Sequence, residues 1–289
     1  MTELAFTKMH GLGNDFVVID ARAGKPAAGM AISAAQAAAI ADRRTGVGCD
    51  QFIIIEDAPT EDGAETDAFM RIRNADGGEV DACGNATRCI GAVLLDETGK
   101  DTVLIRTGAD LLTATRAGYG LVTVDMGVAR VGWDEIPLSA DADTLHLDLA
   151  RGALSDPAAA SMGNPHATFF VDDAEAIAIA ELGPALEHDP IFPERANIGV
   201  AQIIAPDRMR LRVWERGVGL TLACGTGACA AVVNAHRRGL ADRRMVVVVD
   251  GGELLIDWRE DRPGGAGRVF MTGPAETSFS GALTLEVLS

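Results

Sequence analysis

The strongest constraint on this chain is that its sequence landmarks occur twice, in the same order. Gly13-Asn14 leads into the apolar run Phe16 to Ile19, and Gly163-Asn164 leads into Thr168 to Val171, at an offset of 150. Arg44-x-x-Val47-Gly48-x-x-Gln51 returns as Arg195-x-x-Ile198-Gly199-x-x-Gln202 at an offset of 151. Met-Arg-Ile-Arg at 70–73 precedes Ala-Cys-Gly at 82–84, and Met-Arg-Leu-Arg at 209–212 precedes Ala-Cys-Gly at 223–225, with a cysteine offset of 141. One such match is a coincidence of common residues; three in order describe two copies of one unit. A chain of 289 residues suits two lobes, because a single core rarely grows past ~250–300 residues. The expected lobes are 1–127, carrying Cys83 and completed by 274–289, and 128–273, carrying Cys224.

Within each copy, short alternating or β-branched runs predict strands: Phe52 to Ile55, Phe69 to Arg73 and Val103 to Arg106, then Ala201 to Ile204, Met209 to Trp214 and Met245 to Val249. Antiparallel sheet is the natural expectation. A helix follows each Ala-Cys-Gly, from about Asn85 to Glu97 before Gly99, and from about Thr226 to Arg238 before Gly239. Both helices begin almost wholly apolar, which assigns them to the core. The predicted fold class is therefore α+β, with two pseudo-symmetric lobes, each a curved antiparallel sheet or barrel wrapped around a central buried helix. Ser33 to Arg43 reads as a surface helix capped by Ser33, and the acidic segment Glu56 to Asp67 as an exposed loop.

Composition narrows the function. A net charge of −17 opposes attraction to nucleic acid or an anionic membrane. No apolar stretch reaches the ~18–20 residues of a membrane span, and MTELAFTKMHG lacks the basic and apolar segments of a secretory signal, so a cytoplasmic location is expected. Five cysteines, an odd number, argue for reduced thiols over a disulfide framework. Only three lysines (Lys8, Lys25, Lys100) are available for a Schiff-base cofactor. The Gly-x-Gly pieces at 11–13, 46–48 and 217–219 complete neither a dinucleotide fingerprint nor a P-loop. No histidine lies near either cysteine pair in sequence, so a zinc site is not indicated. No cofactor and no metal are expected.

Cys83 and Cys224 each stand where a strand meets a helix N-terminus. Unpaired N–H groups and the helix dipole favour a thiolate there. Gly84-Asn85 and Gly225-Thr226 let the backbone approach an anion closely. Two opposed thiols beside one carboxylate suit inversion of the adjacent carbon, one removing a proton and the other delivering one. Cysteines in Ala- and Gly-rich buried segments are also ordinary core residues, and that reading is preferred for Cys49, Cys89 and Cys229.

The motif series resembles that of the diaminopimelate epimerase family: Met-His-Gly-Leu-Gly-Asn-Asp-Phe (9–16), Asn-Ala-Asp-Gly (74–77), Ala-Cys-Gly-Asn (82–85), Met-Gly-Asn-Pro-His (162–166), Glu-Arg-Ala-Asn-Ile-Gly (194–199), Trp-Glu-Arg-Gly (214–217) and Ala-Cys-Gly-Thr-Gly-Ala-Cys (223–229). The resemblance implies cofactor-independent interconversion of LL- and meso-2,6-diaminopimelate, for lysine and peptidoglycan synthesis. By motif matching, Cys83 and Cys224 are the acid/base thiols, and His166 and Glu215 support the thiols and the substrate's amino group. Gly84, Asn85, Gly225 and Thr226 hold the reacting carboxylate, while Asn14, Gln51, Asn74, Asn164, Asn197, Glu215 and Arg216 bind the far amino-acid end. For each asparagine the turn-residue reading stands beside the functional one. Phe270 fits a homodimer interface, as the resemblance suggests, or the core. The chain departs from the family pattern at Ala86 and Thr87, where Gly and Ala are common, and at Leu220, where Glu is common. Competing readings are a racemase or isomerase of another small amino or hydroxy acid on the same fold, a thiol redox protein, and a non-catalytic amino-acid-binding protein.

Overall fold

The structure, a computed structural model, describes residues 3–58, 66–81, 83–260 and 267–284. Ala82 and most of the segment read as an acidic loop lie outside the described residues. The first of two compact units, 1–124 with 273–289, contains β1 (Glu3–Gly11), β2 (Asn14–Asp20), α1 (Ala34–Ala41), β3 (Gln51–Glu56), β4 (Ala68–Asn74), β5 (Glu79–Val80), α2 (Gly84–Thr98), β6 (Thr102–Arg106), β7 (Leu111–Arg116) and the start of β8 (Leu121–Val128). The second unit, 125–272, contains β9 (Ala150–Arg151), β10 (Leu154–Ser155), β11 (Ala158–Ser161), β12 (Pro165–Phe170), α3 (Ile179–Glu187), β13 (Asn197–Ala205) and β14 (Arg208–Glu215). It continues with β15 (Gly219–Thr221), α4 (Gly225–Arg237), β16 (Arg244–Val249), β17 (Gly252–Glu260) and most of β18 (Gly267–Pro274). β19 (Glu276–Thr284) returns to the first unit and pairs with β1 from Glu3↔Thr284 to His10↔Glu276.

The repeat seen in the sequence is a repeat of pairing. In the first unit β1 is antiparallel to β2, β2 parallel to β3, β3 antiparallel to β4, β4 antiparallel to β5 and parallel to β6, and β6 antiparallel to β7. The second unit follows the same scheme with β11 through β17, β12 taking the place of β2 and α4 that of α2. Among the described residues most ladders are antiparallel, as expected, but four are parallel: β2–β3, β4–β6, β12–β13 and β14–β16. Each parallel pair is joined through one helix, because parallel neighbours need a crossover that a tight turn cannot make. Among the described residues, helices and parallel ladders are thus one architectural fact.

The two cysteine-led helices are the centres of their units. α2 buries Asn85 to Gly91 and Leu94-Leu95 and packs on β1, β6 and β7. Gly91 is required there, since a Cβ would lie 2.6 Å from the Ala114 side chain on β7. α4 buries nearly every residue from Gly225 to Ala235 against β11, β12, β13, β14, β16 and β17. Gly99 closes α2 in the left-handed conformation at φ 68°, and Gly239 (φ 70°) follows the end of α4. α1 is shorter than the expected helix, but Ser33 caps it with a full capping box through Gln36. α3 was not foreseen; Gly183 and Pro184 interrupt its helical pattern, and it is held by packing on β13, β14 and β15. Glu56 and Asp67, at the ends of the expected acidic loop, are committed: Glu56 pairs with Arg71, and Asp67 with Lys100 and the Leu104 N–H. Phe270 is half-buried beneath Arg259, whose guanidinium carbon stands 4.3 Å from the ring centroid.

Candidate active site

In the first unit, a hairpin end, a strand start and a helix start converge on one set of side chains. The turn between β1 and β2 places Leu12 and Gly13 at φ 58° and 85°, so that Asn14 opens β2 opposite Gly11. Cys83 is the extended N-cap of α2, and its Sγ accepts from the Ala86 N–H at 3.5 Å. Asn14 Oδ1 accepts from Asn85 Nδ2 at 3.1 Å and lies 4.0 Å from Cys83 Sγ. Gln51 opens β3 opposite Asn74 on β4, and Gln51 Nε2 donates to Asn74 Oδ1 at 3.1 Å. Gly84 is the first residue of α2. Cys83, Asn85 and Asn14 therefore meet directly, and Gln51 and Asn74 form a second pair.

A charged bracket absent from the sequence reading holds Asn14 in place. Asn14 Nδ2 donates to Asp50 Oδ2 at 2.9 Å, the Asp15 N–H donates to the same oxygen, and the Asp50 N–H donates to Asp15 Oδ1 at 2.9 Å. Arg43 forks across Asp15 and reaches Asp50, while buried Lys8 pairs with Asp15 at 2.6 Å and donates to the Gly48 carbonyl. Burial raises the Asp15 carboxyl, but its bonds from Arg43, Lys8 and the Asp50 amide prevail and hold it down at about 2. The bracketing acids are the sequence neighbours of Asn14 and Gln51, which is the signal that could have found them.

In the second unit the corresponding set is buried. Asn164 follows Gly163 (φ 95°) in the β11–β12 hairpin, and His166 on β12 stands in parallel register with Asn197 on β13. His166 Nε2–H donates to Asn164 Oδ1 at 2.9 Å, Asn164 Nδ2 donates to Thr226 Oγ1 at 3.4 Å, and Thr226 Oγ1 lies 3.7 Å from Cys224 Sγ. Burial, with the Arg216 charge adding to it, pushes the imidazole down to about 3, so His166 is a neutral donor that fixes which way the Asn164 amide faces. It reaches a thiol only through Asn164 and Thr226. Asn197 Oδ1 accepts the Arg216 N–H at 2.9 Å, and Arg216 Nη1 donates to the Glu194 carbonyl at 2.8 Å. Glu215 accepts from Thr221 Oγ1, and Gly225 begins α4.

Cys224 corrects the expectation that a helix start makes its thiol more acidic. Its burial and the neighbouring Glu215 carboxylate push it well above the ordinary thiol range, outweighing the Thr226 hydroxyl and the Gly227 N–H. Cys224 is therefore a protonated thiol, and Glu215 helps to keep it so. Burial likewise pushes Cys49 up to about 11 and Cys89 up to about 12, consistent with core roles. None of the five cysteines forms a disulfide. Ala86 keeps its N–H bond to Cys83, so the extra methyl removes no donor. Leu220 is exposed beside exposed Val218 and Leu222, which gives the segment before Cys224 an apolar face. Among the described residues no His, Cys, Asp and Glu side chains group in a way that could hold a metal ion.

A duplicated α+β unit with a cysteine capping each central helix places the chain in a fold class shared with solved proteins. Over 98% of this chain it matches a Bacillus anthracis phenazine biosynthesis protein of the PhzF family (TM-score 0.69, 17% identity, all of that chain). It also matches a hydroxyproline epimerase from Agrobacterium vitis (TM-score 0.66, 16% identity, 98% of this chain and 92% of that one). Sequence then goes further than shape: the diaminopimelate epimerase family profile covers residues 6–132 and 158–278, and the diaminopimelate epimerase of Acidiphilium cryptum is 59% identical over 284 residues, 98% of each chain. The chain belongs to the diaminopimelate epimerase family.

Proposed function

We propose that the protein interconverts LL- and meso-2,6-diaminopimelate by proton transfer at one α-carbon, with Cys83 and Cys224 as the two acid/base groups and no cofactor. The observation that carries this reading is that the two cysteines cap the central helices of two copies of one unit. Cys224 enters the cycle as the acid, because its thiol holds its proton in the free protein. Cys83 then takes the α-proton as base; the C–H electron pair passes into the carboxylate-stabilised carbanion, and Cys224 S–H protonates that carbon from the other face. The cysteines exchange roles in the reverse direction. N–H groups at the starts of α2 and α4, from Gly84, Asn85, Gly225 and Thr226, oppose the negative charge that builds on the substrate carboxylate. Asn14, Gln51, Asn74, Asn164 and Asn197 supply amide donors and acceptors to the far amino-acid end, where Arg216 meets its carboxylate and Glu215 an ammonium.

This reading includes two lobes, 1–127 with 274–289 and 128–273, a homodimer, and a cytoplasmic location with no nucleic-acid or membrane partner. The net charge of −17 supports the last part. The reading is tested by incubating the protein with LL-diaminopimelate in deuterium oxide and following configuration and label by NMR. The expected first product is meso-diaminopimelate with deuterium only at the inverted carbon. Inversion of L-proline or trans-4-hydroxy-L-proline, with diaminopimelate untouched, would reassign the substrate.

A further inference from the structure

We propose that Glu187 is the positioning residue for the Glu215-Arg216 pair: its carboxylate ties down both sides of that dipeptide. Glu187 ends α3 and is buried, 3% exposed. One oxygen, Oε2, accepts from Trp214 Nε1 at 2.8 Å, and the other, Oε1, accepts from the Gly217 N–H at 2.9 Å. The donors belong to the residues immediately before and after Glu215-Arg216. Between them the Arg216 N–H is taken by Asn197 Oδ1 at 2.9 Å, so three anchors within 214–217 fix the turn. The same residue holds the neighbouring loop, because its main-chain carbonyl accepts the Ala196 N–H at 3.2 Å and Arg195 reaches Oε1 at 3.8 Å. α3 has no slack in which to shift: a Cβ on Gly183 would stand 2.5 Å from the Trp214 ring.

A buried carboxylate is costly unless its oxygens are satisfied, and here satisfying them requires one geometry of the 214–217 turn. A shorter or apolar side chain at this position would remove two of the three anchors and leave the turn held by Asn197. The inference rests on the reading that Glu215 and Arg216 bind diaminopimelate, and it adds a residue that does not itself touch substrate.

Glu187→Gln keeps the size of the side chain but offers an acceptor to only one of the two donors. The expected result is a KM for LL-diaminopimelate raised about ten- to hundredfold with a smaller change in kcat, since misplacement by about 1 Å can cost that much. Measured again with Arg216→Lys as the parent, Glu187→Gln should raise KM less than threefold, because the group it positions is already impaired. A merely structural role would give the same increment in both parents and overturns the proposal, as does an unchanged KM. If Glu187→Gln does not fold, Trp214→Phe decides: it removes one donor only, a raised KM supports the proposal and an unchanged one refutes it. A wild-type protein inactive on diaminopimelate would instead defeat the underlying reading of the site.

Discussion

The two units share a pairing scheme and a cysteine-capped central helix, yet they hold their candidate site side chains by opposite means. Around Cys83 the Asn14 amide is braced by an ionic bracket in which Arg43 is largely exposed. Around Cys224 the Asn164 amide and the 214–217 turn are braced by buried, uncharged or singly charged groups: neutral His166, Asn197 and Glu187. The difference extends to the thiols. Cys83 accepts an N–H from the helix that it caps, whereas Cys224 is buried beside a carboxylate and keeps its proton. A duplicated fold thus carries two unlike thiol environments, which suits the proposed inversion, in which one group is an acid and the other a base.

The comparison breaks outright if either thiol is dispensable. Cys83→Ala and Cys224→Ala should each lower kcat by about a thousandfold or more while leaving the melting temperature within a few degrees. One variant that retained a tenth of the activity would reduce the site to a single base. The next largest effect is on acid stability. His166 is depressed from 6.5 to about 3 in the folded chain, so its contribution is whole above pH 6.5 and is lost as pH falls toward 3. Asp15 is depressed from 3.8 to about 2, so its contribution is whole above pH 3.8 and is lost only as pH falls toward 2. The second unit should therefore weaken first on acidification, by about 2 kcal/mol at pH 5 from His166 alone. Hydrogen exchange at pH 7 and pH 5 checks the order, and His166→Gln, which keeps an N–H donor, should flatten the second unit's response.

The contrast also marks what the sequence could reveal. The repeat, the two buried helices and their glycine stops were legible because they depend on local composition and spacing: α2 and α4 lie within a residue or two of the expected spans. Parallel pairing was not read from the strands, though the helices between them implied it. α3 escaped because Pro184 and Gly183 disrupt its pattern and its stability comes from packing on β14. At the site, the residues that face one another in strand register, such as Gln51 with Asn74 and His166 with Asn197, carry no sequence sign of that pairing. The acidity of Cys224 was misjudged for the same reason. Its helix position is local and visible, whereas its burial and its approach to Glu215 are tertiary.

A smaller effect separates the two helix starts. Position 86 carries Ala and the equivalent position 227 carries Gly; a Cβ on Gly227 would lie 3.1 Å from Cys224 Sγ and 3.2 Å from Val213. Gly227→Ala should push the thiol off its position and lower kcat about tenfold, while Ala86→Gly should change kcat less than twofold. Equal effects would mean that the two thiols have the same steric freedom.

The smallest expected effect is on the exposed half of the ionic bracket. Arg43 pairs with Asp15 and Asp50, each at 2.7 Å, but its side chain is 57% exposed, so water and salt screen it. Arg43→Ala should cost no more than about 1 kcal/mol of stability and raise KM two- to threefold at low salt, because Asn14 stays bonded to Asp50. The distinguishing measurement is ionic strength: in 0.5 M salt, where the Debye length falls to about 4 Å, the variant and the parent should converge. Glu187→Gln, whose bonds lie under protein, should keep its full effect at the same salt. Convergence of both variants would show that the second unit's anchors are as open to solvent as the first's, and the contrast between an ionic and a buried brace would fall.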